Sequence, residues 1–424
     1  NGSVVVTPDD LNFSAPVTYN ILSTESGITG KFFSLTSPIP ALIGVSYTPS
    51  SVQLAYLPLE AVGLTGNALN AARCFGTAPV ISGSDTATLN NALLALSFDD
   101  LQTAFERTGP AQFSAVTEVP LLDAILVRSS YTKRIAKFCS DKDLQSGPLF
   151  SLWFDAFGKW QNQKKSGNEF GYTDTTAGDT IGLDCSVRNF MLGLAFTSTY
   201  DSFRVKNFGS KADIDSYYVG LYGHWSHGGF YVNGAVLGAL NLYKTTRHLS
   251  FGTIDRRARS KHKGDEWLPH LGFGYEVCGS YFLWTPYINL DYVLQHERSY
   301  TETGAGSLDL HVNAKNATLF QGEAGVSFST AYRVGKGLFI PMLALAYINQ
   351  TPCSGKNYRA NFVNLSYCSF TGTGGRYERN LFAPHLSFTY QGFRNKVKVS
   401  VYYDAEAGNR YWAQDVGFNF AFRF

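Results

Sequence analysis

The last nine residues, Val416 to Phe424, carry an apolar side chain at every second position, and the final one is aromatic. A strand alternates its faces with period two, so Val416, Phe418, Phe420, Phe422 and Phe424 share one side. Gly417, Asn419, Ala421 and Arg423 take the other. A soluble sandwich can bury such a strand. A membrane barrel calls for one, because its outer face meets lipid and its inner face a wet lumen.

The same alternation recurs upstream. From residue 148 onward twelve strands can be read. Phe150, Leu152, Phe154 and Ala156 stand against Ser151, Asp155 and Lys159, and Phe282, Trp284, Ile288, Leu290 and Tyr292 against Thr285, Asn289 and Asp291. Phe320, Ala324, Val326 and Phe328 oppose Gln321, Glu323 and Ser327, while Val397, Val399, Val401 and Tyr403 oppose Lys396, Lys398 and Ser400. Composition agrees: aromatics at 15%, 41 Gly and only 2 Met suit strands and turns rather than helices. No run of about 18 apolar residues reads as a membrane helix, and a barrel needs none. A formal net charge of +2 gives no sign of a nucleic-acid partner.

Connections between these strands sort by length. Alternate joins are tight, at 186–188, 226–229, 279–280, 335–337 and 391–395. The others, around 162–170, 205–212, 246–264, 298–315 and 351–376, are longer and more polar, with only 404–410 short. Short turns at one rim and long loops at the other characterise outer-membrane barrels, whereas a sandwich has no reason to sort its loops. An even strand count also brings both ends of a closed antiparallel barrel to one rim. The expected fold is a twelve-stranded antiparallel transmembrane barrel.

Ahead of the barrel the texture changes twice. Residues 1–65 read as short strands broken by Gly, Ser and Pro, and 66–116 turns helical. Within 117–138 a single helix is predicted, with 117–140 as helix and linker: Thr117 suits the cap, Glu118 the positive helix end, and Pro120 the first turn. Glu118 to Phe138 is 21 residues, roughly 30 Å at 1.5 Å per residue, about the hydrocarbon thickness of a bilayer. Leu121, Leu122 and Ile125 lie in its first half; Arg128, Lys133, Arg134 and Lys137 in its second cannot face lipid. The segment can stand in a polar pore or pack on a soluble domain. In the pore reading, the lumen acids Asp155, Glu276, Asp291 and Glu323 are candidates to pair with its cations. Residues 141–424 form the barrel domain.

In this order of parts, residues 117–424 resemble the translocator unit of classical (type Va) autotransporters, a pore helix followed by a twelve-stranded barrel ending in Phe. Upstream, Tyr19-Asn20-Ile21-Leu22, Gly27 to Phe32 and Val52-Gln53-Leu54 look like the last rungs of a β-helical passenger, and 68–116 is similar to the segment joining passenger to barrel. The aromatic richness resembles chlamydial polymorphic membrane proteins, although the Gly-Gly-Ala repeat of their passengers is not seen. The resemblance implies an outer-membrane protein, not an enzyme and without a cofactor, that exports its own passenger to the cell surface. Implied partners are outer-membrane lipid and lipopolysaccharide, periplasmic chaperones and the outer-membrane assembly machinery, which reads the C-terminal strand at Phe418, Phe420, Phe422 and Phe424; a monomer is implied. The chain starts at Asn1 without a signal peptide, so export implies a longer precursor. Some relatives cut the passenger free at an Asn inside the pore helix; 117–138 has none, so attachment is expected. A porin-like diffusion channel is the alternative, and it explains neither the helix nor the prefix.

Other constellations are weaker. Cys353 and Cys368 share a predicted loop and either pair or remain free thiols. His224 and His227, three apart on a strand, point to opposite faces and suggest no metal. The basic run 256–262 is a solvated external loop, or one that touches lipopolysaccharide phosphates. No nucleophile elbow, phosphate loop or paired-carboxylate motif stands out.

Overall fold

The computed structural model describes residues 2–7, 16–139, 148–166, 170–279, 282–355, 357–374, 379–393 and 396–424, with backbone alone for 136–139. The Lys137 side chain and the turn residues Ser280, Arg394 and Asn395 lie outside them. Twelve strands form the wall: β1 Leu149–Gln163, β2 Tyr172–Val187, β3 Phe190–Val205, β4 Lys211–His227, β5 Phe230–Phe251, β6 Ile254–Tyr275, β7 Leu283–Glu297, β8 Lys315–Ser329, β9 Gly337–Ser354, β10 Arg379–Gly392, β11 Val397–Gly408 and β12 Tyr411–Arg423. Each pairs antiparallel with its chain neighbours, and β12 pairs with β1, so no edge remains open.

That closing seam is built from the C-terminal alternation. Phe418, Phe420 and Phe422 stand opposite Ala156, Phe154 and Leu152, and Phe424 exchanges two backbone hydrogen bonds with Phe150, at 3.0 and 3.3 Å. The apolar partners face outward and are exposed, as are Leu192, Leu194, Val219, Leu221, Ile288 and Val401 on other strands. In water such a wall would be an aggregation surface; in lipid it is the stabilising face.

Inside the wall, aromatic rings lie over glycines on the neighbouring strand. Trp153 sits opposite Gly182, Tyr222 opposite Gly193 and Tyr402 opposite Gly417. A Cβ on any of these glycines would overlap the ring. Tyr222 cannot swing away, because its hydroxyl accepts from Trp153 Nε1 at 2.6 Å and donates to Asp184 at 3.2 Å. Gly193→Ala is therefore expected to cost about 1–3 kcal/mol, the usual overpacking range. The check is the urea midpoint of the heat-modifiable band, with Gly193→Ala costing little further stability in a Tyr222→Ala background.

The two rims differ as expected. At the turn rim β4 and β5 are joined by Gly228-Gly229, both at positive φ, which suits a two-residue hairpin. The loop rim departs from the sequence reading at one place. Residues 246–264 are not a loop: β5 and β6 continue to Phe251 and Ile254 and are joined by Gly252-Thr253. Its polar residues alternate with buried Leu249, Phe251 and Ala258, so hydrophilicity there marks a two-faced hairpin, not irregular chain.

Upstream of the barrel, helices α1 Gly66–Phe75, α2 Asp85–Leu94 and α3 Phe98–Thr108 lead through a 3-10 segment, Pro110–Val116, into α4 Glu118–Cys139. Residues 16–65 depart from the expectation of β-helical rungs. Tyr19 pairs antiparallel with Leu54, and strands Ala41–Tyr47 and Ser51–Pro58 form a hairpin. Thr48 Oγ1 accepts from Ser51 N at 2.8 Å and closes that turn. A rung requires parallel pairing, and among the described residues the N-terminal sheets show it only between Ser3–Val5 and Ser34–Thr36.

Candidate functional site: the plugged lumen and its cap

Helix α4 stands inside the barrel. Its first residue, Glu118, accepts from Arg379 at the loop end of β10, and it runs from there toward the turn rim. Its apolar residues Leu122, Ala124, Ile125, Val127, Tyr131 and Ile135 cluster with Tyr218, Tyr222, Leu237 and Leu268 of the wall. Tyr131 makes an edge contact with Trp153, centroids 6.0 Å apart, and a tilted one with Tyr222 at 5.3 Å. Leu121 is buried in the same cluster.

The cations of α4 with described side chains, Arg128, Lys133 and Arg134, end on carboxylates of five strands. Arg128 donates to Asp291 of β7 at 2.6 Å, with Glu323 of β8 at 3.7 Å. Lys133 donates to Asp404 of β11 at 2.6 Å and lies 3.5 Å from Asp415 of β12. Arg134 forms a fork on Asp184 of β2, 2.7 and 2.8 Å. All are buried or nearly so. A buried charge is tolerable only when paired in this way.

Of the four acids singled out in the sequence, Asp291 and Glu323 reach Arg128. Asp155 is buried but accepts from Ser130 at 2.7 Å and Tyr402 at 3.0 Å rather than from a cation. Glu276 lies at the turn rim, beside the lumen cavity. Asp184, Asp404 and Asp415 were missed, as was the Glu118–Arg379 pair. Each stands at an inward position of its strand, so the alternation places it in the lumen. Which inward acid meets which cation depends on the rotation and depth of α4, on which strand periodicity carries nothing. About 280 Å³ remains open between α4 and the opposite wall, with Ser129, Lys133, Tyr287, Glu323, Thr389 and Lys398 among its lining.

Above α4 the loop rim is roofed. The junction helices share one apolar core with the rim: Ala71, Phe75, Leu89, Leu93, Leu101 and Phe105 pack with Leu249, Phe251, Tyr300, Leu310, Tyr358 and Phe362. Polar ties pin the lid's margins. Asn67 accepts from Thr373 N at 2.7 Å and donates to its carbonyl at 2.8 Å. Arg247, fully buried, donates to the carbonyls of Arg107, Thr108 and Leu308 and pairs with Glu302. A disulfide joins Cys74 of α1 to Cys368, in the turn of the hairpin 357–373, with Cα atoms 5.5 Å apart. This corrects the pairing of Cys353 with Cys368: Cys353 is exposed at the end of β9, while the hairpin folds Cys368 onto α1. Loop membership pointed to the wrong partner because the right one lies 294 residues away.

Asp85, first residue of α2, pairs with Arg256 of β6 and accepts from Ser307 N at 2.8 Å. The hydrogen bond from Arg256 holds its carboxyl at about 2, well below the usual carboxylate range. The folded value lies below the unfolded one, so this contribution is complete above about pH 4 and vanishes as pH falls toward 2. Asp85→Asn is expected to loosen α2 at neutral pH, raising amide exchange there in hydrogen-exchange mass spectrometry. Wild type and variant should converge only as pH falls below about 2.

His224 is buried, its Nδ1 2.7 Å from Asn233 Oδ1, whereas His227 is not buried and stacks on Trp225. The two rings take opposite faces of β4.

Comparison with known proteins adds to this geometry. A family model described as the autotransporter beta-domain matches residues 152–404. Outer membrane protein A of Rickettsia conorii is 26% identical over 289 residues, 65% of this chain and 14% of that protein. Outer membrane protein B of Rickettsia prowazekii is 25% identical over 277 residues, 59% of this chain and 16% of that protein. The chain thus matches only a small part of the length of these relatives. Among solved structures, the translocator domain of autotransporter NalP from Neisseria meningitidis superposes with a TM-score of 0.53 at 14% identity, covering 71% of this chain and 98% of that one.

Proposed function

The chain belongs to the autotransporter family, and we propose that within the outer membrane it is the translocator of its own passenger, with α4 left in the pore and the segment before it held at the cell surface. The observation that carries this reading is the seat of α4: a helix entering from the loop rim, paired through Arg128, Lys133 and Arg134 with carboxylates of β7, β11 and β2. A diffusion channel gains nothing from a charged rod in its lumen or from a roof over its outer rim, and no observation favours that alternative.

Physically, export on this scheme needs no nucleotide. The barrel inserts through its C-terminal strand, for which Val416, Phe418, Phe420, Phe422 and Phe424 are the proposed signal to the assembly machinery. The passenger crosses while unfolded, and folding on the far side biases the motion outward. Junction and rim then close on each other, each large apolar side chain buried there contributing about 1.5–3 kcal/mol. Residues 1–65 are the proposed passenger end, 66–116 the junction, 117–140 the pore helix and 141–424 the translocator. Periplasmic chaperones and outer-membrane lipid are the proposed partners of a monomer. The role is transport, and no catalytic step is assigned.

Two measurements on the full chain in outer membranes test this. Electrophoretic mobility should shift on boiling, and protease added to intact cells should remove residues before Gly66 while sparing the barrel. Protection of that segment, or an ungated channel of porin conductance in planar bilayers, would favour the alternative.

A further inference from the structure

The basic run of the sequence lies on the outer wall of β6. Alternation turns Ala258, Ser260 and His262 inward, where they are buried, and leaves Arg257, Arg259, Lys261 and Lys263 exposed on the outer face. The same face continues toward the turn rim as Trp267, Leu271 and Tyr275, all exposed. Trp267, 58% exposed, is the outermost aromatic of this strand's lipid-facing row, the position of an interfacial girdle residue. The ladder of charge therefore rises out of the lipid belt, with Asp265, which lies 3.7 Å from Arg298, between Lys263 and Trp267.

The acids of this wall are already engaged. Asp215 holds Lys244 at 3.0 Å, Asp265 lies 3.7 Å from Arg298, and Asp255 takes His248 at 2.6 Å. Among the described residues none is within ion-pairing distance of Arg257, Arg259, Lys261 or Lys263. Four uncompensated positive charges thus stand in a row, about 7 Å apart along the strand. At a strand tilt of about 40°, Lys263 lies roughly 10 Å above Trp267 and Arg257 roughly 25 Å above it. The lower pair, Lys263 and Lys261, starts above the layer of lipid headgroups, which extends about 5–8 Å beyond the hydrocarbon on each side. Long basic side chains reach down to that layer while keeping their stems on the wall, and guanidinium groups suit bidentate contact with phosphate.

We infer that Arg257, Arg259, Lys261 and Lys263 form a binding stripe for the phosphate groups of lipopolysaccharide in the outer leaflet. The inference rests on the outer-membrane placement proposed above. A soluble polyanion is the weaker occupant, because the stripe continues the lipid-facing row. Bound phosphates would brace the tall β5–β6 hairpin where it leaves the membrane and carries the lid.

The test uses the full chain in phosphatidylcholine nanodiscs doped with bisphosphorylated lipid A. Lipid A retained per barrel is read by native mass spectrometry. The variant replacing all four residues by Thr should bind at least tenfold more weakly, since one charge near an anionic surface is worth about fivefold. Lys261→Thr/Lys263→Thr alone should account for most of the loss, and Lys164→Thr/Lys165→Thr for none. Lipid A stripped of phosphate should bind wild type and variant equally weakly, inorganic phosphate should not compete, and high salt should weaken wild-type binding. Undiminished lipid A binding by a variant that keeps its heat shift overturns the inference while leaving the translocator reading intact. So does wild-type binding that salt does not touch, which decides the matter if the fourfold variant loses its heat shift. Stripe-dependent capture of heparin that displaces lipid A would reassign the residues to a soluble polyanion. Absence of a heat shift in the wild type would instead undercut the translocator reading itself.

Discussion

A protease cut placed between Cys74 and α4 is expected to leave the N-terminal fragment on the barrel until a reductant is added. Cys74 lies in α1 and Cys368 in the hairpin turn over the loop rim, so the covalent tie runs from the junction to the translocator and bypasses everything in between. A site engineered at Gly83, whose positive φ marks a turn between helices, should yield two chains that migrate as one on denaturing, non-reducing gels. The same digest should resolve into two bands with reductant, or in Cys74→Ala and Cys368→Ala variants. A site at Gly63, on the far side of Cys74, should release its fragment in either condition, and that asymmetry is the signature of the tie. Two bands from the Gly83 cut without reductant would remove it. Under native conditions the Cys74→Ala fragment should still co-purify with the barrel, because Leu57, Leu59, Ala71 and Phe75, on its side of the cut, remain packed with Leu93, Phe105 and Phe362. Covalent and apolar attachment are thus separable by detergent alone. For a surface protein the consequence is that cleavage in the junction need not mean release.

How far the sequence carried these conclusions depends on which residues decide each feature. Twelve strands and their faces were legible because each outward residue answers only to lipid and each inward one only to the lumen, a local rule repeated along the wall. The pore helix was legible because Arg128, Lys133 and Arg134 exclude lipid while the length matches a bilayer. Tyr19 and Leu54 misled because a short polar-flanked strand pairs parallel or antiparallel with the same composition; the Thr48–Ser51 turn fixes only the 41–58 hairpin on whose edge Tyr19 pairs. Cys368 misled because its partner is brought close only by the lid. The roof itself was not foreseen at all. Its core joins junction residues to rim residues up to about 300 positions apart, and each half on its own reads as an ordinary amphipathic segment. In the lumen the inward acids were recognisable as a class, whereas the individual pairings required the azimuth of α4.

That azimuth gives the second large effect. At 3.6 residues per turn, positions 128, 133 and 134 project in three directions, and the structure sends them to β7, β11 and β2. Arg134 and Asp184 are the most enclosed of these pairs, with side chains 2% and 0% exposed. Arg134→Met keeps the volume but leaves Asp184, among the described residues, with the Tyr222 hydroxyl at 3.2 Å, a buried carboxylate without this counter-charge. The expected loss is about 3–5 kcal/mol, read from the urea midpoint of the heat-modifiable band. Replacing both members, Arg134→Met with Asp184→Leu, should recover most of that loss, since an apolar pair of similar size is often neutral or better. A double-mutant cycle then isolates the coupling. Single variants within about 0.5 kcal/mol of wild type would mean that α4 does not depend on this pair. Arg128→Met should be milder, because Asp291 keeps His270 Nδ1 at 2.8 Å. The ordering of the two losses tests the pairing scheme, because a helix held only by its apolar face would show no difference between a residue aimed at β2 and one aimed at β7.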